Sequence, residues 1–221
     1  MITSKSISLS AQIFDQLERD ILNGTYQRGS ILTEMKLSEE LGVSRTPIRE
    51  ALLRLEQEHL LENRGKGLVV MGITAEDADY IYEIRKRIEG LAAAACAVKI
   101  SNEELSDLKE TLDLQLFYDE RGDIEKVKTY DNMFHEKIYR YSGNVVLYDT
   151  LVPLHRKIQK FRRTSITGHS RSHISALEHE NIYKAIAAHD SSLAEKNMHE
   201  HVCNAHARLH DVVERHETEV E

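Results

Sequence analysis

The sequence GVSRTPIREALLRLE, residues 42–56, determines how the first part of the chain folds. Gly42 can end a preceding helix, Ser44 is a residue type that caps a new one, and Pro47 falls in the first helical turn, where its missing N–H does no harm. The apolar residues that follow recur at helical spacing and share one face. They are Ile48, Ala51, Leu52 and Leu55. The stretch therefore predicts an amphipathic helix that starts at Ser44.

The segments around this helix have the order of a winged helix-turn-helix. Residues 8–23 and 34–41 predict two helices before it, and LLENRGKGLVVM, residues 60–71, predicts a short β-hairpin after it. In such a unit the last helix enters the DNA major groove, and the hairpin, or wing, reaches the backbone or the minor groove. We therefore expect a DNA-binding domain over residues 1–72.

The polar side chains of the reading helix, its N-terminus and the wing tip are then the candidate DNA contacts. They are Ser44, Arg45, Thr46 and Arg49 on the helix, and Arg64 and Lys66 on the wing. In an isolated helix the ordinary interpretation would be a solvated face with Ser44 acting only as a cap. The hairpin and the five positive charges between residues 45 and 66 favour a DNA-binding surface.

The overall charge of −8 at first argues against a nucleic-acid partner. However, residues 1–72 carry 9 Lys/Arg and 10 Asp/Glu, whereas residues 73–221 carry 20 and 27, so most of the acidity lies in the second part. The chain has no apolar run of membrane-spanning length and no signal-peptide pattern, so we expect a cytoplasmic protein without a membrane partner. Cys96 and Cys203 lie far apart and predict reduced thiols rather than a disulfide or a cysteine zinc site.

The second part predicts an all-α bundle over residues 73–221, and the fold class is mainly α. The expected helices cover residues 75–98, 102–120, 123–141, 145–165, 170–188 and 190–216. Of the 12 histidines, only His59 precedes residue 135.

Four polar residues point inward from three of these helices. Asp131 and His135 flank the apolar stripe of one helix, and His179 and His201 lie within the stripes of two others. A single histidine in such a place is usually a hydrogen-bonded core residue. The combination favours a divalent cation, because one ion satisfies three buried imidazoles and a carboxylate together. Nitrogen-rich ligation suits Zn²⁺ or Ni²⁺.

The first part also resembles the DNA-binding domain of GntR-family transcription regulators. LSEELGVSRTPIREALLRLEQEHLL followed by ENRGKGLVV is similar to the family pattern L-x-x-x-L-G-V-S-R-T-P-[IV]-R-E-A-L with its glycine-bearing wing, over about residues 8–71. The resemblance implies DNA contacts by the residues named above and by Gly65. His59 stands where the family usually has glycine, so the turn after the reading helix is expected to differ slightly. Met35 stands where some relatives have a DNA-contacting arginine, so that contact is expected to be absent.

The second part resembles the FCD ligand-binding domain of the FadR-like branch of this family. The similar pieces are IRKRIEGLAAAACA, DNMFHEKIYRYSGN and EHENIYKAIAAHDSSLAEKNMHEHV. The resemblance places the family's metal ligands on Asp131, His135, His179 and His201, which are the four residues already singled out. It also suggests Arg85 and Asn144 as contacts to an effector, although a salt bridge to Glu89 is an equal alternative for Arg85.

These features predict a homodimeric regulator that binds a double-stranded DNA operator and responds to a small carboxylate held at or near the metal. A metalloenzyme using the same Asp/His site to activate water is the rival hypothesis, and it leaves the winged domain without a role. A metal that only stabilises the bundle is a third possibility.

Overall fold

A computed structural model describes residues 7–65, 67–158 and 169–218, with side chains described for 7–65, 67–158 and 172–208. Within these ranges the chain forms nine helices and three short strands. Its contacts divide it into two units, Met1–Thr74 and Ala75–Glu221. A winged helix-turn-helix followed by an all-α bundle confirms the predicted fold class. Among the described residues, no helix has the length and apolarity needed to cross a bilayer.

The first unit contains three helices and a three-stranded antiparallel sheet. The helices are α1 (Leu9–Leu22), α2 (Glu34–Leu41) and α3 (Arg45–Gln57), and the strands are β1 (Ile31–Leu32), β2 (Leu61–Asn63) and β3 (Leu68–Val70). The sheet has the order β1-β3-β2. β2 and β3 form the predicted wing hairpin, with Leu61 opposite Val70. β1 was not predicted, because two residues are too few for an alternating pattern.

One core holds this unit together. Ile48, Ala51, Leu52 and Leu55 of α3 are all buried against Phe14 and Leu17 of α1 and against apolar residues of the sheet. Gly42 ends α2 in the left-handed conformation (φ 66°), which glycine adopts without steric cost. The apolar stripe therefore fixes α3 to the unit and leaves its polar face outside.

His59 occupies the turn after α3 with a φ of 60°. This left-handed conformation costs a residue with a Cβ about 1–2 kcal/mol and a glycine nothing. A strained histidine therefore forms this turn, at the position where the resemblance to GntR-family regulators implies a glycine.

The second unit is a bundle of six helices in the described ranges. They are α4 (Ala75–Lys99), α5 (Asn102–Glu120), α6 (Ile124–Tyr141), α7 (Val145–Lys157), α8 (His169–Ala187) and α9 (Ser191–Thr218). A capping box at Ser101 and Glu104 starts α5, and Asp123 caps α6. α7 ends at Lys157, and the last part of its predicted range, residues 159–165, lies outside the described residues. The helices present their apolar faces to a common interior in which α6, α8 and α9 meet.

Candidate metal centre and nucleic-acid interface

The start of α3 presents an exposed polar surface. Ser44, Arg45, Thr46 and Arg49 are all exposed, while Ile48 in the same turn is fully buried. Ser44 occupies the N-cap position, but its side chain makes no capping hydrogen bond. The Ser44 hydroxyl therefore lies at the same end of α3 as the first-turn N–H groups that a helix leaves without intrahelical partners, and such a helix start favours an anion.

Arg49 is already paired within its own unit. Its Nε and NH2 atoms donate to the two carboxylate oxygens of Glu34 at 2.7 Å each. This hydrogen bonding lowers the pKa of Glu34. The two side chains are 62% and 33% exposed, and such surface pairs contribute little to stability in water. Arg49 can therefore exchange Glu34 for a phosphate or a base edge at small cost.

The wing tip is a tight turn with one arginine on it. Arg64 NH2 donates to Glu62 Oε2 at 2.8 Å, and both side chains are exposed. The Gly65 N–H donates to Asn63 Oδ1 at 3.0 Å, and Gly65 has a φ of 78°. Lys66 lies outside the described residues. The predicted wing contacts that the structure describes thus lie on an exposed tip.

Three imidazoles converge in the interior of the bundle. His135 of α6, His179 of α8 and His201 of α9 are buried, and their Nε2 atoms form a triangle with sides of 3.2, 3.2 and 3.3 Å. Asp131 is also buried and lies slightly further out, with its Oδ1 atom 3.8 Å from His179 Nε2. The structure thus brings together the three histidines that the sequence singled out and places Asp131 beside one of them, His179.

The outer nitrogen of each imidazole faces an oxygen that can only accept a hydrogen bond. His179 Nδ1 is 2.8 Å from Gln115 Oε1, His201 Nδ1 is 2.7 Å from Glu178 Oε2, and His135 Nδ1 is 3.4 Å from Glu89 Oε2. The two shorter contacts place the proton on Nδ1 of His179 and of His201 and leave a lone pair on Nε2 of both rings. These lone pairs point into the triangle of Nε2 atoms, an arrangement that a cation stabilises.

The spacing of the three nitrogens also fits a metal ion. A tetrahedral Zn²⁺ with bonds of about 2.0–2.1 Å holds its nitrogen ligands roughly 3.3 Å apart. The observed separations of 3.2–3.3 Å agree with that value. The three histidines could therefore hold an ion with little rearrangement, whereas Asp131 would have to move closer to supply an oxygen.

Among the residues that face the outer nitrogens of the imidazoles, Glu178 accepts hydrogen bonds from three different residues. Its carboxylate accepts from His201 and also from Asn204 Nδ2 at 2.8 Å and Arg208 NH2 at 3.3 Å. Burial raises its pKa, but the hydrogen bonds from His201 and Arg208 and the positive charge of Arg208 outweigh burial and bring the pKa down to about 2. Glu178 is therefore an anion at neutral pH and fixes the orientation of the His201 ring.

A second group of buried polar residues adjoins His135. Arg85 and Glu89 of α4 form a fully buried ion pair, and the pKa of Glu89 is lowered by Arg85 despite its burial. Arg85 NH2 also lies 3.4 Å from His155 Nδ1. Glu89, His135 and His155 are close enough together to hold a metal. However, the guanidinium of Arg85 already neutralises Glu89, so this group disfavours a second cation.

The alternative suggested for Arg85, a salt bridge to Glu89, is thus present. The Arg85 NH1 atom and the Glu89 Oε2 atom are nevertheless buried without a hydrogen-bond partner among the described residues. A buried donor and a buried acceptor beside the imidazole cluster can bind a polar ligand.

Asn144, the other residue suggested as an effector contact, is not part of the imidazole cluster. It is exposed at the N-cap of α7, and its Oδ1 atom accepts from the N–H groups of Val146 and Leu147. Its side chain therefore serves the start of α7 and is not brought to the imidazole cluster.

The sequence did not point to the outer partners of the imidazoles. Gln115 has no motif around it, and Glu178 is adjacent in sequence to His179 but hydrogen-bonds to His201. Glu89 was noted only as a partner for Arg85. These contacts to the imidazoles join residues 23 to 64 positions apart, so no local spacing could have revealed them.

A winged helix-turn-helix unit followed in the same chain by a helical bundle with a buried ligand-type cluster defines a DNA-binding transcription regulator. Comparison with known proteins agrees: residues 9–70 match the bacterial regulatory proteins of the gntR family, and residues 80–204 match the FCD domain. The chain therefore belongs to the GntR family of transcription regulators, in its FadR-like branch with an FCD domain.

Similar proteins extend over nearly the whole chain. The HTH-type transcriptional regulator YdhC of Bacillus subtilis is 30% identical over 92% of each chain, and the gluconate operon transcriptional repressor of Bacillus licheniformis is 27% identical over 93% of this chain and 86% of its own. The structure of E. coli McbR/YncC has the same fold, with a TM-score of 0.79 at 24% identity over 93% of this chain and 99% of its own. The matched domains and relatives are transcription regulators and not enzymes, so the metalloenzyme hypothesis is wrong.

Proposed function

We propose that this regulator works as a homodimer whose bundle holds a divalent metal ion and binds a small organic acid, and that the acid changes the affinity of the winged units for an operator. The observation that carries this proposal is the triangle of Nε2 atoms, 3.2–3.3 Å apart, with the outer nitrogens facing hydrogen-bond acceptors. That arrangement suits a cation better than it suits an apolar core.

The proposed ligands are His135, His179, His201 and Asp131. Three imidazoles and one carboxylate form a donor set typical of Zn²⁺ or Ni²⁺. A bound ion of this kind supplies positive charge that attracts the oxygens of an acid. The protein itself orients the rings through Gln115 and Glu178 and excludes bulk water by burying all four ligands.

Arg85 and Glu89 are proposed to select the acid. Because Arg85 is neutralised by Glu89, it offers a directed hydrogen bond from NH1 rather than a free charge. Glu89 Oε2 requires a donor. A hydroxy acid meets both needs, since its carboxylate accepts from Arg85 and its hydroxyl donates to Glu89. One relative is a gluconate operon transcriptional repressor, and gluconate is a hydroxy acid.

The proposed operator contacts are Arg45, Thr46 and Arg49 on α3, with Ser44 at its start and Arg64, Gly65 and Lys66 on the wing. Arg45 and Thr46 are exposed on the same end of α3 as Ser44. A helix start placed in the major groove brings such residues to base edges and phosphates. A homodimer would present two such units to a palindromic operator.

The DNA part of the proposal is tested by Arg49→Ala. We expect a loss of about 1–3 kcal/mol of operator affinity in fluorescence anisotropy titrations. Arg140→Ala is the matched control, because Arg140 has the same 62% side-chain exposure and also pairs with a glutamate, but on the bundle. Equal operator affinity for both variants and the unchanged protein would show that α3 is not the reading helix.

The sensing part is tested by titrating gluconate and, separately, acetate into zinc-loaded and zinc-free protein bound to operator DNA. We expect gluconate to change the anisotropy only when zinc is present, and Arg85→Lys to weaken that response, because lysine has no guanidinium fork. A response that is the same with and without zinc would rule out the metal as part of the acid site.

A further inference from the structure

An acidic side chain lies on the surface that is proposed to meet DNA. Glu34 is the first residue of α2, and its two carboxylate oxygens accept from Nε and NH2 of Arg49 at 2.7 Å each. A carboxylate in this place repels the phosphates of every duplex, whatever its sequence. Such a residue is explained if it improves the choice among sequences more than it weakens binding to all of them.

The pair with Glu34 uses one edge of the Arg49 guanidinium and leaves the other edge available. Because each carboxylate oxygen accepts from a different nitrogen, the contact has two points and fixes the orientation of the guanidinium. Within the described part of the chain, Arg49 NH1 has no hydrogen bond, and the side chain is 62% exposed. The edge formed by NH1 and NH2 can still donate two hydrogen bonds, which is the pattern that the O6 and N7 atoms of guanine accept.

Arg49 thus has two ways to reach DNA. It can leave Glu34 for a phosphate, or it can keep Glu34 and present its remaining edge to a base. We infer that Arg49 keeps Glu34 in the operator complex, and that Glu34 is a positioning residue that directs the guanidinium to a guanine. The inference rests on the proposed function, because it takes α3 as the reading helix.

Both members of the pair are attached to firmly held parts of the winged unit. On one side, Leu32 of β1 is buried, and Thr33 caps α2 directly before Glu34. On the other side, Ile48 of α3 is fully buried next to Arg49. An arginine that is already held in one orientation loses less rotamer freedom when it binds a base. Glu34 therefore orders Arg49 before DNA arrives.

The charges of the pair affect phosphates and bases differently. The hydrogen bond between the two side chains lowers the pKa of Glu34 and raises the pKa of Arg49, so both are ionised at neutral pH. An arginine neutralised by a carboxylate attracts phosphates less than an unpaired one does, whereas its N–H groups still donate to a base edge. Glu34 therefore weakens binding to arbitrary sequences and preserves hydrogen bonding to guanine.

The arginine on the wing has a partner of a different geometry. Arg64 Nε and NH2 both donate to the same oxygen, Glu62 Oε2, at 3.1 and 2.8 Å. One acceptor oxygen does not fix the orientation of a guanidinium as two oxygens do. Glu62 thus places the same negative charge beside a candidate DNA contact without the two-point contact, and Glu62→Gln is the matched control for Glu34→Gln.

The test is selection of binding sites from a randomised double-stranded DNA library, with sequencing of the DNA bound by the full-length protein and its variants. Arg49→Ala should lose a preference for guanine at one position of the selected site. Glu34→Gln should reduce that same preference about tenfold, and Glu62→Gln should leave it in place. A purely structural role of Glu34 would not change the preference at a single position, and circular dichroism melting should give every variant a stability close to that of the unchanged protein.

Affinity for an unselected random-sequence duplex separates the charge of Glu34 from its positioning role. Glu34→Gln and Glu62→Gln should both raise this affinity severalfold, because each removes one negative charge near the phosphates. Glu34→Asp keeps the charge but is one methylene shorter, so it should leave this affinity unchanged and still weaken the guanine preference.

The two ways in which the experiment can fail are distinguishable. An unchanged guanine preference in Glu34→Gln, together with its loss in Arg49→Ala, would overturn the inference and leave α3 as the reading helix. An unchanged preference in Arg49→Ala would overturn the assignment of the reading helix, and this inference with it.

Discussion

The substitution Glu178→Gln changes one oxygen to an amide next to a proposed metal ligand. Three residues donate to the Glu178 carboxylate: His201 donates to Oε2, Asn204 donates to Oε1, and Arg208 donates to both oxygens. A glutamine has one acceptor oxygen, so its NH2 group must face at least one of these donors. If it faces His201, the ring must carry its proton on Nε2, where it blocks the metal.

The loss of zinc affinity expected in Glu178→Gln follows from this conflict between the amide NH2 group and the His201 ring. Outer partners of metal-bound histidines typically contribute 10–100-fold to metal affinity, about 1.4–2.7 kcal/mol. The 2.7 Å bond to His201 and the low exposure of Glu178, 17% of its side chain, place this residue in that range. We expect a zinc dissociation constant about 10–100 times higher in Glu178→Gln.

The assay is competition for zinc between metal-free protein and a chromophoric chelator. Glu180→Gln is the control, because Glu180 lies on the same helix and pairs with Lys184 at the surface. It removes the same charge without touching an imidazole and should leave zinc affinity unchanged. Equal zinc affinity in Glu178→Gln and the unchanged protein would refute the argument that Glu178 holds a metal ligand in place.

Two further predictions concern strain and buried charge. His59→Gly should stabilise the protein by about 1 kcal/mol in urea unfolding, because glycine takes the φ of 60° without the Cβ penalty; a loss of stability would contradict the strained turn. Arg85→Met should destabilise by about 3–5 kcal/mol, since it leaves Glu89 buried and uncompensated, and adding Glu89→Leu should recover most of that loss. If the double variant is no more stable than Arg85→Met in thermal unfolding, the buried pair is not the source of the effect.

The sequence predicts the parts of the fold that depend on local patterns. The α3 stripe, the start of α3 at Ser44 and the turn at Gly42 each depend on residues within a few positions of one another, and all three appear where the pattern placed them. β1 could not be predicted, because its two residues are a strand only through pairing with β3. Pairing of that kind depends on tertiary contacts that sequence periodicity does not encode.

In the candidate site, too, local patterns predict some residues and only tertiary contacts determine the others. Asp131, His135, His179 and His201 could be found because each lies inward on its own helix, and the bundle then brings the helices together. The pairing of Glu178 with His201 rather than with its neighbour His179 depends on how α8 and α9 are rotated about their axes. Asn144 could not be placed from its position after a glycine turn, because capping a helix and binding an effector favour the same residue type.

The most direct test of the account is the metal content of the protein purified without chelators, measured by plasma mass spectrometry alongside His179→Ala and the control His173→Ala. His173 lies on the same helix but is half exposed and pairs with Asp119. We expect about one equivalent of zinc or nickel per chain in the unchanged protein and in His173→Ala, and far less in His179→Ala. A metal-free unchanged protein that also fails to take up zinc or nickel on dialysis would contradict it.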